Sequence, residues 1–233
     1  MNIILQTLFC PVKAFNELKQ GNKFPAMALV IVLLLIATNL ILMVPITSKI
    51  MAITMSSLPL PEKQLDTTLS MMHKLRYLQV IGGVFSVVIT LFLQALLLYI
   101  ITVVSKTAIT FIKTFSLIVY CYIAVIIGNF VNTGIIYIRG LDKITNPYEI
   151  SMIGINLLTT VEKAGIAFYM FLCYINPFQI WFIVLLSIGL KIFADIKYTK
   201  ALFLCIIFWL ITLIFPVVSG IFAEITMNKA GLM

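Results

Sequence analysis

Residues 78–104 read LQVIGGVFSVVITLFLQALLLYIITVV, a run in which no side chain carries a charge. A helix needs about 20 apolar residues to cross the hydrocarbon core of a bilayer, which is about 30 Å thick, and this run is longer than that. In such a core each main-chain N–H and C=O group must find its partner within the protein, and an α-helix provides this within one segment. The run therefore predicts a membrane-spanning helix.

Four other stretches have the same apolar character and nearly the same length. They are residues 24–46, 115–138, 177–193 and 201–222, of which 177–193 is the shortest. We therefore expect an all-α fold, a polytopic transmembrane bundle with five spanning helices. The spanning domain covers 24–222, between a cytoplasmic N-terminal segment, 1–23, and a short tail, 223–233.

Composition agrees with a protein that lipid surrounds. Of 233 residues, 62% are hydrophobic and 10% are charged, against about 45–50% and about 25% in soluble domains. In a soluble protein, the net charge of +8 would suggest nucleic acid. Here the basic residues are scattered between apolar runs, which favours anionic lipid headgroups as partners and no nucleic acid.

A short amphipathic helix is predicted ahead of the first span, over residues 11–20. Pro11 occupies a first helical position, where proline is well tolerated, and Gly21 is placed to end the helix. Val12, Phe15 and Leu18 recur every third residue. We expect this apolar stripe to enter the lipid surface.

Basic groups near the amphipathic helix are candidates for contact with lipid phosphates. Asn176 is a further candidate, because Asn176–Pro177 breaks the chain and leaves amide donors at the start of the fourth span, where an anion is favoured. A simple turn stop at Asn176 is the alternative. The candidate headgroup contacts are Lys13, Lys19, Lys23 and Asn176.

Residues 164–175 are apolar but follow Glu162 and Lys163. A charge at a membrane helix centre costs about 2.5–3.5 kcal/mol, whereas each large apolar residue returns only about 0.3–0.6 kcal/mol. We therefore predict an interfacial or half-inserted helix over 164–175, separated from the fourth span at Asn176 and Pro177. A single kinked helix through Pro177 remains the alternative.

The direction of insertion is read from the basic residues, of which eight lie on each side if the N-terminus is inside, so their density in the loops decides. Charge bias matters most in short loops, and the two short loops, 105–114 and 191–200, are both basic. These loops lie inside if the N-terminus is cytoplasmic. We expect a cytoplasmic N-terminus and a C-terminus outside, in a bacterial inner membrane.

Four short segments carry a family resemblance. They are PVKAF at 11–15, NPFQIW at 176–181, LLSIGL at 185–190 and KYTKAL at 197–202. In order and spacing, the chain resembles the bacterial branch of the Yip1 family of integral membrane proteins. The resemblance implies five helices and a cytoplasmic N-terminus. Eukaryotic relatives act in ER and Golgi trafficking and engage Rab GTPases, but their Asp-Leu-x-Gly-Pro stretch is missing here, so Rab binding is not carried over.

Polar residues inside the spans define a possible intramembrane seam. Asn129 and Asn132 lie three residues apart in the segment GNFVNTG and share a helix face. Asn39 in the first span and Gln94 in the second are the other members. These groups either hydrogen-bond between packed helices or line a path for an uncharged substrate or lipid headgroup.

No residue pattern indicates an enzyme. The sequence has no G-x-S-x-G, H-E-x-x-H, P-loop or G-x-G-x-x-G motif and no acidic residue in the five predicted spans. His73 is the single histidine, and the four cysteines are widely separated. We therefore expect no catalytic residue, cofactor or metal site.

Two functions remain. The first is a non-enzymatic membrane protein that acts through contacts with lipids, partner helices or a second copy of itself, in membrane organisation or a trafficking-like role. The second is a small transporter or channel subunit that uses the polar seam of the third span.

Overall fold

The computed structural model describes residues 3–20, 25–56, 62–107, 109–144, 146, 148 and 150–229, with side chains omitted at 55–74, 76, 77 and 227–229. These residues form α-helices joined by short connections, except for a longer one between α6 and α7 that contains two 3-10 helices, Leu141–Lys143 and Ile155–Leu158. The described part contains no strand. The α-helices are α1 (Ile3–Phe9), α2 (Pro11–Gln20), α3 (Ala26–Ser56), α4 (Glu62–Val104), α5 (Phe111–Cys121), α6 (Ile123–Arg139), α7 (Val161–Ala164), α8 (Ile166–Tyr174), α9 (Pro177–Ala194) and α10 (Tyr198–Lys229).

Five stretches of the described chain are long and apolar enough to cross a membrane, which confirms the prediction of an all-α bundle with five spans. Their mean hydropathy lies between 1.8 and 2.9. They are Ala26–Thr54, Leu78–Val104, Phe111–Arg139, Pro177–Ala194 and Tyr198–Thr226.

The third span combines α5 and α6. Tyr122, between them, keeps right-handed helical angles, and its N–H donates to the Ile118 carbonyl at 2.9 Å. The main chain therefore continues without an unsatisfied break, as a membrane core requires. Of the five candidate spans, this one has the largest share of buried residues.

The connection between the first two spans contains more helix than hydropathy indicates. The spans predicted from the sequence leave residues 47–77 outside the membrane, yet α3 continues to Ser56 and α4 begins at Glu62. The segment from Glu62 to Arg76 contains three Leu, two Met and two Lys and lacks glycine and proline. Straight-chain residues of this kind lose little side-chain freedom in a helix, so the helix extends past the apolar run.

The predicted break before the fourth span is present. Helix α8 ends at Tyr174, Ile175 and Asn176 form a bend, and α9 begins at Pro177. Proline disfavours the helical conformation in the residue that precedes it, which explains the break at Asn176. The two helices are therefore separate rather than one kinked helix.

The chain forms two compact units, each assembled from three parts of the sequence. The first unit comprises Met1–Leu35, Ser86–Gly128 and Pro177–Phe215. Its α2 packs on α9, where the Phe15 and Phe193 rings meet edge to face with their centroids 6.1 Å apart.

The second unit comprises Ile36–Phe85, Asn129–Asn176 and Pro216–Met233. One core cluster is centred on the buried side chains Ile46, Ile136 and Ile144. A second cluster is centred on Val161, Ile166 and Tyr169 and includes Ala223 from α10. These clusters fix the irregular segment that follows α6.

A close helix contact holds α8 against α10 in the second unit. A β-carbon added to Gly220 would lie 2.7 Å from the Cα atom of Ala167. Because the obstructing atoms belong to the main chain, a side-chain rotation cannot relieve the overlap. Glycine at 220 therefore allows the two helices to approach this closely.

We expect Gly220→Ala to lower the free energy of unfolding in detergent by about 1–3 kcal/mol, the usual cost of overpacking. Gly134→Ala is the matched control, because no atom lies within 4 Å of a β-carbon placed at that position. Thermal unfolding of the two purified variants measures the difference. Equal melting temperatures would contradict the close contact.

Candidate functional site

Asn39 and Thr133 form a buried polar contact between α3 and α6. The Asn39 Nδ2 group donates to Thr133 Oγ1 at 3.1 Å, and Thr133 Oγ1 donates to the Asn129 carbonyl at 2.9 Å. Asn39 is 8% exposed and Thr133 is 3% exposed. Thr133 was not singled out from the sequence, although it lies one helical turn after Asn129 and so on the same face.

Asn132 binds a main-chain segment rather than another helix. Its Nδ2 donates to the Ile150 carbonyl at 3.0 Å, and its Oδ1 accepts from the Met152 N–H at 2.6 Å. One side-chain amide thus satisfies a carbonyl and an N–H two residues apart, as a neighbouring strand would. This pair of bonds attaches residues 150–152 to α6.

The other two predicted seam residues have different surroundings. The Asn129 side chain is exposed. Gln94 is half-buried in α4, and its Oε1 has no hydrogen-bond partner within the described chain. The structure thus connects Asn39 with the main chain of Asn129 through Thr133, while the Asn132 amide contacts residues 150–152. The role of the four residues as a seam stays a prediction.

A polar cavity of about 240 Å³ lies at the C-terminal end of the third span, within the second unit. Arg139, the last residue of α6, and Lys143 supply positive charge. The Arg139 Nη1 group donates to the Met152 sulfur at 2.8 Å, so the segment that Asn132 holds also orients Arg139. Polar and apolar residues share the lining: Ile136, Arg139, Gly140, Lys143, Ile144, Asn146, Met152, Asn156, Leu157, Thr159, Thr160 and Tyr169.

Asn156 is a fixed part of the cavity wall. It is 0% exposed, and its Nδ2 donates to the Ser151 carbonyl and to the Tyr169 hydroxyl, each at 2.8 Å. Its Oδ1 is buried and has no hydrogen-bond partner among the described residues. A buried acceptor of this kind is costly unless a donor reaches it.

Asn176, a predicted headgroup contact, donates from Nδ2 to the Cys173 carbonyl at 3.1 Å. The bond satisfies a carbonyl in the last turn of α8, where the helix leaves such groups without partners. The side chain is half-buried. In this structure Asn176 supports the turn between α8 and α9.

The N-terminal hairpin of α1 and α2 presents a mixed apolar and basic surface. Lys13 is exposed, Lys19 is half-buried, and Lys23 lies outside the described residues. The exposed apolar side chains of the hairpin are Leu5, Phe9 and Val12, at 50%, 75% and 57%.

One detail of the predicted amphipathic stripe is wrong. Phe15 is fully buried, with its ring against Phe193 and close to Gly189, so it holds α2 on α9 instead of entering lipid. Periodicity identifies the apolar face of a helix but does not say whether protein or lipid covers it.

Within the described residues, no group of three His, Cys, Asp or Glu side chains is placed to hold a metal ion. The four cysteines are free thiols. Burial raises the pKa of the Cys173 thiol to about 11, so this thiol is neutral near pH 7. The His73 side chain lies outside the described part.

The five apolar helices define a polytopic α-helical integral membrane protein. The family model of the Yip1 domain matches residues 5–220, nearly the whole chain. The chain therefore belongs to the Yip1 domain family. Neither the curated proteins nor the solved structures contain a match.

The family resemblance read from short motifs is thus confirmed, and the structure brings two of these motifs together. Phe15 in the PVKAF segment lies beside Gly189 in the LLSIGL segment. Leu185, Leu186 and Leu190 are also buried, at 1%, 0% and 0% exposure. The two segments form part of the core of the first unit.

We expect Asn132→Leu to destabilise the protein by about 1–3 kcal/mol, because the Ile150 carbonyl and the Met152 N–H each lose a hydrogen-bond partner. Asn129→Leu is the matched control, since its exposed side chain lies on the same helix. Thermal unfolding in detergent compares the two variants. A larger loss for Asn129→Leu would refute the assigned role of Asn132.

Proposed function

We propose that this Yip1-family protein is not an enzyme and acts in a bacterial inner membrane through contacts with lipids and partner helices. Membrane organisation is the role that these contacts serve. The observation that carries the proposal is the N-terminal hairpin, which packs on the bundle through Phe15 while Val12 and Lys13 remain exposed.

The chemistry of this surface favours a membrane interface. Transfer of an apolar side chain out of water is favourable by about 1.5–3 kcal/mol, and the attraction of a lysine to an anionic leaflet is favourable by about 1 kcal/mol. Leu5 and Phe9 lie four residues apart in α1 and therefore share a face. Since α2 is already attached to α9, its ordering adds no further entropic cost on lipid binding.

The hydrogen bonds inside the spans support this role over a transporter or channel. Asn39 is bonded to Thr133, and both polar atoms of the Asn132 amide are bonded to main chain. Polar groups satisfied in this way stabilise helix packing and offer no free ligand atoms to a passing substrate. In this proposal the two seam residues with these bonds, Asn39 and Asn132, therefore serve helix packing.

We expect the protein, extracted with its native lipid in polymer-bounded discs, to retain an anionic phospholipid enriched over the bulk membrane. Val12→Glu should weaken this retention about tenfold, as loss of roughly 1.5 kcal/mol of apolar contact predicts. Asn16→Glu is the control, because it adds the same charge at an exposed position of α2. Lipid mass spectrometry measures the enrichment.

The proposed function would be contradicted if the wild-type discs contained lipids in the same proportions as the bulk membrane and no protein partner could be crosslinked. Equal enrichment in Val12→Glu and Asn16→Glu would contradict the role of the hairpin in it.

We further propose a cytoplasmic N-terminus and a C-terminus outside. Cys10 lies between α1 and α2 and is exposed, whereas Cys121 and Cys205 are buried. Cys173 reacts slowly at neutral pH, since its pKa of about 11 keeps the nucleophilic thiolate scarce until the pH approaches that value. Cys10 is therefore a native reporter of the side on which the N-terminus lies.

A membrane-impermeant maleimide should label Cys10 in inverted membrane vesicles and leave it unlabelled in intact spheroplasts. Cys10→Ser should abolish the label, which confirms its position. Labelling in intact spheroplasts would place the N-terminus outside and overturn the proposed orientation.

A further inference from the structure

We propose that the cavity beside Arg139 and Lys143 binds a phosphate group, the chemistry that a phospholipid headgroup shares with a soluble organic phosphate. This inference rests on the proposed function, because it names a ligand class for lipid contact. It concerns the second unit and is separate from the N-terminal hairpin.

Among the described side chains, the cavity lining has two positive charges and no acidic group. Arg139 and Lys143 both line it, and no described acidic side chain does. The exposed Asp142 and Glu162 are close in sequence but are not part of the lining. Guanidinium and ammonium groups bind phosphate oxygens through charge-assisted hydrogen bonds, so the site favours an oxyanion.

Neutral donors surround the two cations. Thr160 adds a hydroxyl group and Asn146 adds an amide, while the Thr159 hydroxyl donates to the Thr160 carbonyl at 3.5 Å. The Asn146 Oδ1 atom accepts from the Tyr148 N–H at 2.9 Å, so part of its acceptor capacity is used, and the NH₂ group of the same amide is a donor. A lining rich in donors complements a phosphate rather than a cation.

The cavity wall is held in place before any ligand arrives. Asn132 fixes Met152, whose sulfur accepts a hydrogen bond from Arg139, and Asn156 binds the carbonyl of Ser151. The unpartnered Oδ1 of Asn156 would gain from a hydroxyl or ammonium donor on the ligand. A glycerol, serine or ethanolamine headgroup carries such a donor beside its phosphate.

Size and surroundings fit the head of an amphiphile. A volume of about 240 Å³ holds about eight water molecules at roughly 30 Å³ each, which accommodates a phosphate and a short polar group. Leu157 lines the cavity and is 55% exposed, while its neighbour Leu158 is 89% exposed. Ile138, which precedes Arg139, is 87% exposed. Acyl chains would meet these apolar side chains outside the cavity.

The test titrates the full-length protein, stripped of lipid in detergent, with three probes in native mass spectrometry. Phosphatidylglycerol carries the phosphate on a lipid, diacylglycerol is the matched lipid without phosphate, and glycerol phosphate is the soluble source. The variant is Arg139→Gln with Lys143→Gln. Its control, Lys106→Gln with Lys197→Gln, removes the same charge at exposed positions outside the cavity.

We expect the cavity variant to bind phosphatidylglycerol at least tenfold more weakly than the control variant, with diacylglycerol binding equal in both. The charge-preserving exchange, Arg139→Lys with Lys143→Arg, should retain most of the affinity. If glycerol phosphate binds through the same two cations and the lipid does not bind, the phosphate assignment is supported and the source is a soluble phosphate. If the double variant fails to fold, Lys143→Gln alone tests the site, because Lys143 is exposed and its replacement leaves the core unchanged.

Equal affinity of the cavity and control variants for both phosphate probes would overturn this inference. If Val12→Glu still loses its native lipid in that case, the proposed function stands without the cavity. If neither the cavity nor the hairpin affects any lipid, both proposals fail.

Discussion

The hydrogen-bonding demand of the main chain in a medium without water is the constraint on which this structure depends. Helices satisfy this demand within themselves, and all five candidate spans are helical. The same demand holds for buried main-chain groups where the chain between the third and fourth spans stops being helical. There asparagine side chains donate to the carbonyls of Ile150, Ser151 and Cys173, and the Met152 N–H donates to Asn132 Oδ1. Main-chain bonds add to these, such as that from the Ile155 N–H to the Ile175 carbonyl at 3.1 Å.

Asparagine suits this task because its amide both donates and accepts, in the same geometry as a peptide group. Asn132 uses both functions on one short segment, while Asn156 donates twice. The same residues shape the cavity next to Arg139, so structural support and the proposed ligand site are coupled. A change in residues 150–152 reaches Arg139 through the sulfur of Met152.

Much of the fold was predictable from hydropathy alone. The second span is Leu78–Val104 both in the sequence and in the structure, and α2 covers the predicted residues 11–20. Proline chemistry correctly predicted the break at Asn176. The extension of α4 back to Glu62 was missed, because hydropathy marks the spanning part of a helix and helix propensity continues beyond it.

The contacts of the polar residues were much harder to predict. Asn129 and Asn132 have the same residue type and share a helix face, yet one is exposed and the other binds main chain 18 and 20 residues further on. Sequence spacing specifies neighbours along one helix, whereas these partners depend on how an irregular segment folds back. Phe15 illustrates the same limit, since its periodic position predicted an apolar face and only the structure revealed the ring of Phe193 against it.

The contact between Gly220 and Ala167 constrains the order in which the second unit can assemble. The main chain of Ala167 in α8 lies against Gly220 of α10, the last helix of the described chain. During synthesis, α8 leaves the ribosome before that neighbour exists, so its final position waits for the C-terminal helix to insert. The packing of α8, which supplies Tyr169 to the cavity wall, is therefore completed only after α10 has been made.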